Sequence, residues 1–148
     1  MPNQNHQSKI FFYNGGLKHT ENFKTGNPLS INIEFESKEK INNPVFSVDI
    51  IRADGVLCCS SNSRNNGFKI DDIYGNGTIK LEFPKLNLAA GIYLAKVSIF
   101  DKDMVHSYAV RRQDIFKVGA AGINNNNAIF FPDTKWSSKN EYPSLPKE

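Results

Sequence analysis

Asn43-Pro44-Val45-Phe46-Ser47-Val48-Asp49-Ile50-Ile51-Arg52-Ala53-Asp54-Gly55 alternates side-chain character along most of its length. Phe46, Val48 and Ile50 fall on one face of an extended chain, and Ser47, Asp49 and Ile51 on the other. That is the period-2 pattern of a strand with one buried side. Pro44 suits the entry of a strand and not its interior, because it has no N–H to give the ladder. Asp54-Gly55 supplies residue types that accept positive φ in a tight hairpin returning through Val56-Leu57-Cys58. The stretch predicts an antiparallel β protein whose outer strand face carries polar groups where a ligand can lie.

The same texture continues outward. Expected strands cover 8–13, 29–36, 45–53, 56–61, 77–83, 92–100, 105–111 and 114–118. Turn clusters separate them: Asn14-Gly15-Gly16, Gly26-Asn27-Pro28, residues 63–67, Gly75-Asn76-Gly77 and Ala89-Ala90-Gly91. Short strands at regular spacing favour a sandwich or barrel over a βαβ fold. Apolar residues nowhere recur at helical spacing for three turns, so 70–74 is expected to form one short helical turn at most. Beyond Val118, residues 119–122 and the asparagine run 124–127 read as a flexible connection. A last apolar strand, Ala128-Ile129-Phe130-Phe131, follows, with Trp136 after it. Such a strand behind a long polar connection can exchange between protomers or fold back on its own sheet edge. The expected division is a flexible segment over 1–9, one β-sandwich over 10–136 and a frayed tail over 137–148.

Composition narrows the function. A chain of 148 residues makes one domain that buries about 68–70% of its unfolded surface. The net charge of +3 is spread thinly, with no Lys/Arg block longer than two residues, so nucleic acid is not an expected partner. No stretch approaches the roughly 20 apolar residues of a membrane span. Residues 1–8 lack the apolar centre of a signal peptide, so the expected location is the cytosol. Cys58 and Cys59, as strand neighbours, should point to opposite faces and serve as small apolar fillers rather than a disulfide or zinc site.

The catalytic inventory is short. His6, His19 and His106 show no zinc spacing, and no nucleophile elbow or P-loop is present. Gly75-Asn76-Gly77 precedes a strand rather than a helix, so it is a poor phosphate cradle. The pairs Asp71-Asp72 and Asp101/Asp103 have the chemistry to hold Ca²⁺, but loop acids of this kind are ordinarily just solvated. No enzyme, metal or cofactor is expected. A surface remains: Ser47 and Asp49 on one strand, Lys96 and Ser98 on another, and His106 with Tyr108 on a third. If these faces share a sheet, hydroxyl, carboxylate, ammonium, imidazole and phenol groups lie together. That mixture suits sugars, whose hydroxyls need polar partners and whose C–H faces need rings. The plain alternative is a solvated sheet face.

A resemblance weighs on that choice. Phe23-Lys24-Thr25-Gly26-Asn27-Pro28-Leu29-Ser30-Ile31, then residues 43–55, then Ser60-Ser61-Asn62-Ser63 occur in a recognisable order. Leu81-Glu82-Phe83-Pro84-Lys85-Leu86-Asn87-Leu88, Gly91-Ile92-Tyr93 and Phe116-Lys117-Val118 follow them. Over 10–118, and again over 122–136, the chain resembles the C-terminal carbohydrate-binding domain of Wzt-type ATP-binding subunits, which serve ABC transporters exporting lipopolysaccharide O-antigen. The resemblance implies an all-β, immunoglobulin-like jelly-roll sandwich of eight or nine antiparallel strands. It implies a homodimer with its last strand exchanged. It also implies binding of the non-reducing end of O-antigen polysaccharide, at the cytoplasmic face of the inner membrane, beside the ATP-binding and membrane subunits of the exporter. The family's usual ATPase domain is not in this sequence, so an excised module or a separately encoded one is expected.

The family's ligand residues vary with the glycan, so the expected site rests on the strand faces. Ser47, Asp49 and Ser98 would bond sugar hydroxyls, and Lys96, with Arg111 or Arg112, would meet an acidic substituent. His106 and Tyr108 would stack on a ring, while Asn62 either joins the site or holds its turn through backbone bonds. The alternative is a protein-interaction sandwich docking a glycosyltransferase or chain-capping enzyme, for which Ile51, Leu94 and Phe100 read outward.

Overall fold

Alternation of buried and exposed side chains produces eight strands in the computed structural model of the protein, which describes residues 6–16, 18–108, 112–120 and 129–139. They are β1 (His6–Tyr13), β2 (Asn22–Lys24), β3 (Leu29–Ile41), β4 (Val45–Arg52), β5 (Leu57–Asn62), β6 (Ile73–Phe83), β7 (Gly91–Phe100) and β8 (Arg112–Gly119). Two sheets result, β1-β3-β6 and β2-β8-β7-β4-β5. Their facing sides share one core of Ile10, Phe12, Leu29, Ile31, Ile33, Phe35, Phe46, Val48, Ile50, Tyr93, Ala95, Val97, Ile99, Phe116 and Val118.

Aromatic rings join the layers at two places. Phe116 of β8 stacks on Tyr93 of β7 at 5.6 Å and meets Phe12 of β1 at 5.3 Å and Phe23 of β2 at 6.0 Å. Phe35 of β3 meets Phe46 of β4 at 5.7 Å. The Tyr93 hydroxyl, buried with its ring, donates to the Ala89 carbonyl at 2.7 Å, so no polar group is stranded there.

The structure departs from expectation at several points. Not every strand pair is antiparallel: β2 runs parallel to β8. The chain leaves the edge strand β1 and joins the edge of the other sheet, so no hairpin dictates the direction of β2. Of the strand expected over 105–111, residues 105–108 form none, and 109–111 lie outside the described residues. Asp101 Oδ1 accepts the amides of Val105 (2.8 Å) and His106 (3.2 Å), Met104 takes φ 58°, and the chain turns. A short side chain bonding its own backbone competes here with extension. The expected helical turn over 70–74 gives way to the start of β6, where Ile73 pairs with Ile41. At the β4–β5 hairpin only Gly55 has positive φ (95°), not an Asp54-Gly55 pair. Gly55 N donates to Arg52 O at 2.8 Å, a three-residue loop with glycine at its left-handed position. The register slips between Ile50↔Cys59 and Ile51↔Leu57. Cys58 falls at that slip, so both cysteines pack against the core instead of pointing to opposite faces.

The expected last strand is represented by Ile129, Phe130 and Phe131; Ala128 and most of the expected connection lie outside the described residues. Phe130 bridges to Leu88, and Ala89 N donates to Ile129 O at 2.9 Å.

Gly77 pairs with Phe35, whose ring lies over it, and a Cβ at 77 would collide with that ring. Gly77→Ala should therefore destabilise the protein by about 1–3 kcal/mol in urea unfolding. Phe35→Leu in the same chain should return part of that loss. An unchanged midpoint for Gly77→Ala would show that the ring does not sit there.

Candidate functional site

Burying Phe46, Val48 and Ile50 from β4 against the core turns Val45, Ser47, Asp49 and Ile51 to the opposite side of the five-stranded sheet. Burying Tyr93, Ala95, Val97 and Ile99 from β7 does the same for Ile92, Leu94, Lys96 and Ser98. The two strands are direct neighbours, with Ser47 opposite Ser98, Asp49 opposite Lys96 and Ile51 opposite Leu94. β5 adds Asn62 beside Ser47 and Ser60 beside Asp49, and β8 adds Gln113 beside Lys96. The outer face thus carries a row Ser60–Asp49–Lys96–Gln113 across four strands and a second polar row Asn62–Ser47–Ser98 next to it. By strand spacing the patch is about 14 Å across and about 7 Å along the strands.

Its groups are held in place. Ser60 Oγ donates to Asp49 Oδ1 at 2.6 Å, leaving the second carboxylate oxygen for another donor. Lys96 enters no ion pair among the described residues, so its ammonium is available to an acceptor. Ser47 and Ser98 are buried at 8% and 7% exposure, deeper than outward positions on a solvated sheet. Their low exposure sets them below their neighbours, as the floor of the patch.

Three expected site residues fall elsewhere. Tyr108 packs against the core, its N–H bonded to Ile99 O at 2.8 Å, and does not share the polar face. His106 is exposed on the 101–106 turn, its carbonyl taking Asp101 N at 2.9 Å. Both displacements follow from the turn that replaces the expected strand. Arg112 is in register with Val97, one step off the row that contains Lys96, and Arg111 lies outside the described residues. Asn62 holds its turn: Oδ1 accepts the Asn65 amide at 2.8 Å.

Next to the polar rows lies an apolar one. Leu57, Ile51, Leu94 and Ile115 are aligned across β5, β4, β7 and β8, with Leu57 58% and Ile115 53% exposed. No group of three His, Cys, Asp or Glu side chains able to hold a metal occurs among the described residues.

The family model of the Wzt C-terminal domain matches residues 8–129. The chain belongs to that family. It is thereby a non-catalytic carbohydrate-binding domain linked to ABC-type O-antigen export, a family that works with ABC transporter components and is cytoplasmic. The crystal structure of the C-terminal domain of Wzt superposes with a TM-score of 0.77 at 13% identity, covering 94% of this chain and 87% of that one. A calcium-binding mutant of Bacteroides uniformis β-glucuronidase 2 aligns with a TM-score of 0.49 at 16% identity over 73% of this chain and 12% of that chain. The β-glucuronidase of Parabacteroides merdae gives 0.46 at 11% identity over 77% and 13%. No curated protein matches the sequence significantly.

In this Wzt-family domain, sequence reading missed Ser60 and Gln113 because cross-strand register, not local pattern, brings them to Asp49 and Lys96. Cys59 lies one residue from Ser60 on the inner side, and burial pushes its thiol up to about 11. Against an ordinary value of 9.0, thiolate at pH 8 falls about 100-fold. Iodoacetamide at pH 8 should accordingly alkylate Cys59 about 100-fold more slowly than a free thiol, read by peptide mass spectrometry. Alkylation at the free-thiol rate would mean that the β5 edge opens.

Proposed function

We propose that the outer face of the β2-β8-β7-β4-β5 sheet binds the non-reducing terminus of O-antigen polysaccharide, and that this binding couples completed glycan to export. The observation that supports it is the row Ser60–Asp49–Lys96–Gln113 beside Asn62–Ser47–Ser98, in a chain of the Wzt C-terminal domain family. Asp49 accepts from a sugar hydroxyl with its free oxygen, Lys96 donates, and the two serines meet hydroxyls that reach the floor. His106, exposed on the 101–106 turn, stands nearest the start of β4, where the end of a chain would pass. The binding unit is the sandwich over 10–136. Its strand order, with β8-β7-β4 flanked by β5 and with β3 against β6, supports an immunoglobulin-like plan.

Calorimetry with the O-polysaccharide of the source strain tests this. Saturable binding should vanish when the terminal residue is removed, and Asp49→Ala should weaken it by about tenfold, the loss of one hydrogen bond to a charged group. Equal binding of intact and stripped glycan would rule out end recognition. The apolar row Leu57–Ile51–Leu94–Ile115 supports a second reading, a docking face for a glycosyltransferase or chain-capping enzyme. No binding of either glycan by the folded protein would favour it.

We also infer a homodimer in which residues 129–131, which in this structure pair with residues 87–89 of their own chain, exchange between protomers and make the same pairing with the partner. The bridge Leu88↔Phe130 is flanked by bonds from Ala89 N and Phe131 N, a pair with Cα atoms about 4.5 Å apart and within disulfide range. Leu88→Cys/Phe130→Cys, with Cys58 and Cys59 replaced by alanine, should run as a covalent dimer on a non-reducing gel. A crosslinked monomer would show that the strand returns to its own chain.

A further inference from the structure

The polar face runs, along β4, from Asp49 through Ser47 to Val45, and at Val45 it ends in a cavity of about 290 Å³. Pro44 and Val45 form an apolar wall, both buried. Phe68, 58% exposed, offers a ring. Arg64 and Lys69 line it from the β5–β6 loop and Lys102 from the turn after β7. No carboxylate is in the lining.

The cavity is built before any ligand arrives. Ser63 Oγ accepts Phe46 N at 3.1 Å, Phe68 N donates to Ser63 O at 2.9 Å and Gly67 N to Arg64 O at 3.1 Å, closing the loop on itself. Arg64 Nη1 donates to Lys102 O at 3.4 Å and ties that loop to the turn made by Asp101. Of the acids nearby, Asp101 accepts two amides, and Asp72 accepts Asn43 N at 2.9 Å and pairs with Lys40 at 3.4 Å. Lys69 and Lys102 enter no ion pair among the described residues. Three cations with no carboxylate in the lining, an apolar wall and one ring make a pocket for an anion on a saturated ring. Its volume is near the low end of the about 300–1,000 Å³ of ligand pockets, enough for one ring and not for a run of polymer.

We propose that this cavity takes the terminal residue of the glycan and that this residue is acidic, a pyranose bearing a carboxylate or a phosphate. The inference rests on the glycan-binding reading of the sheet face and names the class of sugar at its end. The chain of sugars lies over Asp49, Lys96 and the two serines, and its last ring enters beside Val45, one strand step of about 7 Å beyond Ser47. Arg64, Lys69 and Lys102 neutralise the acid while Phe68 covers a C–H face.

NMR titration of the full chain with methyl glucuronide, glucose 1-phosphate and methyl glucoside reads this at the amides of Gly67, Phe68 and Lys69. An acidic probe should shift them saturably and the neutral one should not. A response to the glucuronide alone assigns a carboxylate, and to the phosphate alone a phosphate. Lys69→Gln/Lys102→Gln, both exposed positions, should weaken the acidic probe by at least about tenfold. Raised salt should weaken it further. An equal response to methyl glucoside, or an unaltered response in the double variant, overturns the acidic assignment. The two readings fail separately. Polysaccharide that shifts Asp49 and Lys96 but not these amides, together with silent acidic probes, removes the acidic terminus and leaves the sheet face standing. Acidic probes that bind where polysaccharide does not remove the sheet-face reading and leave an acidic-sugar pocket.

Discussion

Burial of Phe116 against Tyr93, Phe12 and Phe23 is the contact on which the architecture depends, because it touches four strands and both sheets at once. Once Tyr93 is committed to that cluster, the two-residue period of β7 fixes Ala95, Val97 and Ile99 inward and Lys96 and Ser98 outward. Phe46, packed on Phe35, fixes β4 in the same way. A one-residue slip between β4 and β7 would put lysine and aspartate into the core, so the register that aligns Asp49 with Lys96 is imposed by hydrophobic burial. The outer polar face is a by-product of the core, which is why its shape is stable and its chemistry free to vary.

That division explains what the sequence discloses. The alternation in 45–52 and 92–100 announces both strands and both faces, but that Ser47, Asp49, Lys96 and Ser98 meet in one sheet is set by the pairing of β4 with β7. Asn62 is legible as a turn holder because its bond is local. Tyr108 misleads: 105–108 alternates like a strand, yet the Asp101 carboxylate captures two amides and bends the chain first. The three-residue β2 carries too little pattern to be seen, since Phe23 alone is buried and β8 supplies its partner from far along the chain. Arg64, Lys69 and Lys102 converge from two separate loops, and no periodicity marks loop residues that meet only in space.

The outer face has two chemistries side by side. Its polar rows and the cavity at Val45 lie toward the start of β4, and the aliphatic row lies toward the hairpin at Gly55. On the proposed reading, a glycan lying over the polar rows toward the cavity would leave the aliphatic row open to a protein partner. The bidentate Arg52–Asp54 pair, at 2.8 and 2.7 Å, stiffens the hairpin on the aliphatic side. Its guanidinium keeps the Asp54 carboxyl below the ordinary carboxylate range. That bracing is present above the ordinary range and fades as pH falls through the lowered one.

The most direct measurement is an amide and side-chain chemical-shift map of the full chain saturated with O-polysaccharide. Shifts should concentrate at Ser47, Asp49, Ser60, Lys96, Ser98 and Gln113. Glu34, Thr78 and Lys80, on the solvent side of the other sheet, should stay still. Shifts confined to those three, or to the Leu57–Ile115 row, would contradict binding at the polar rows.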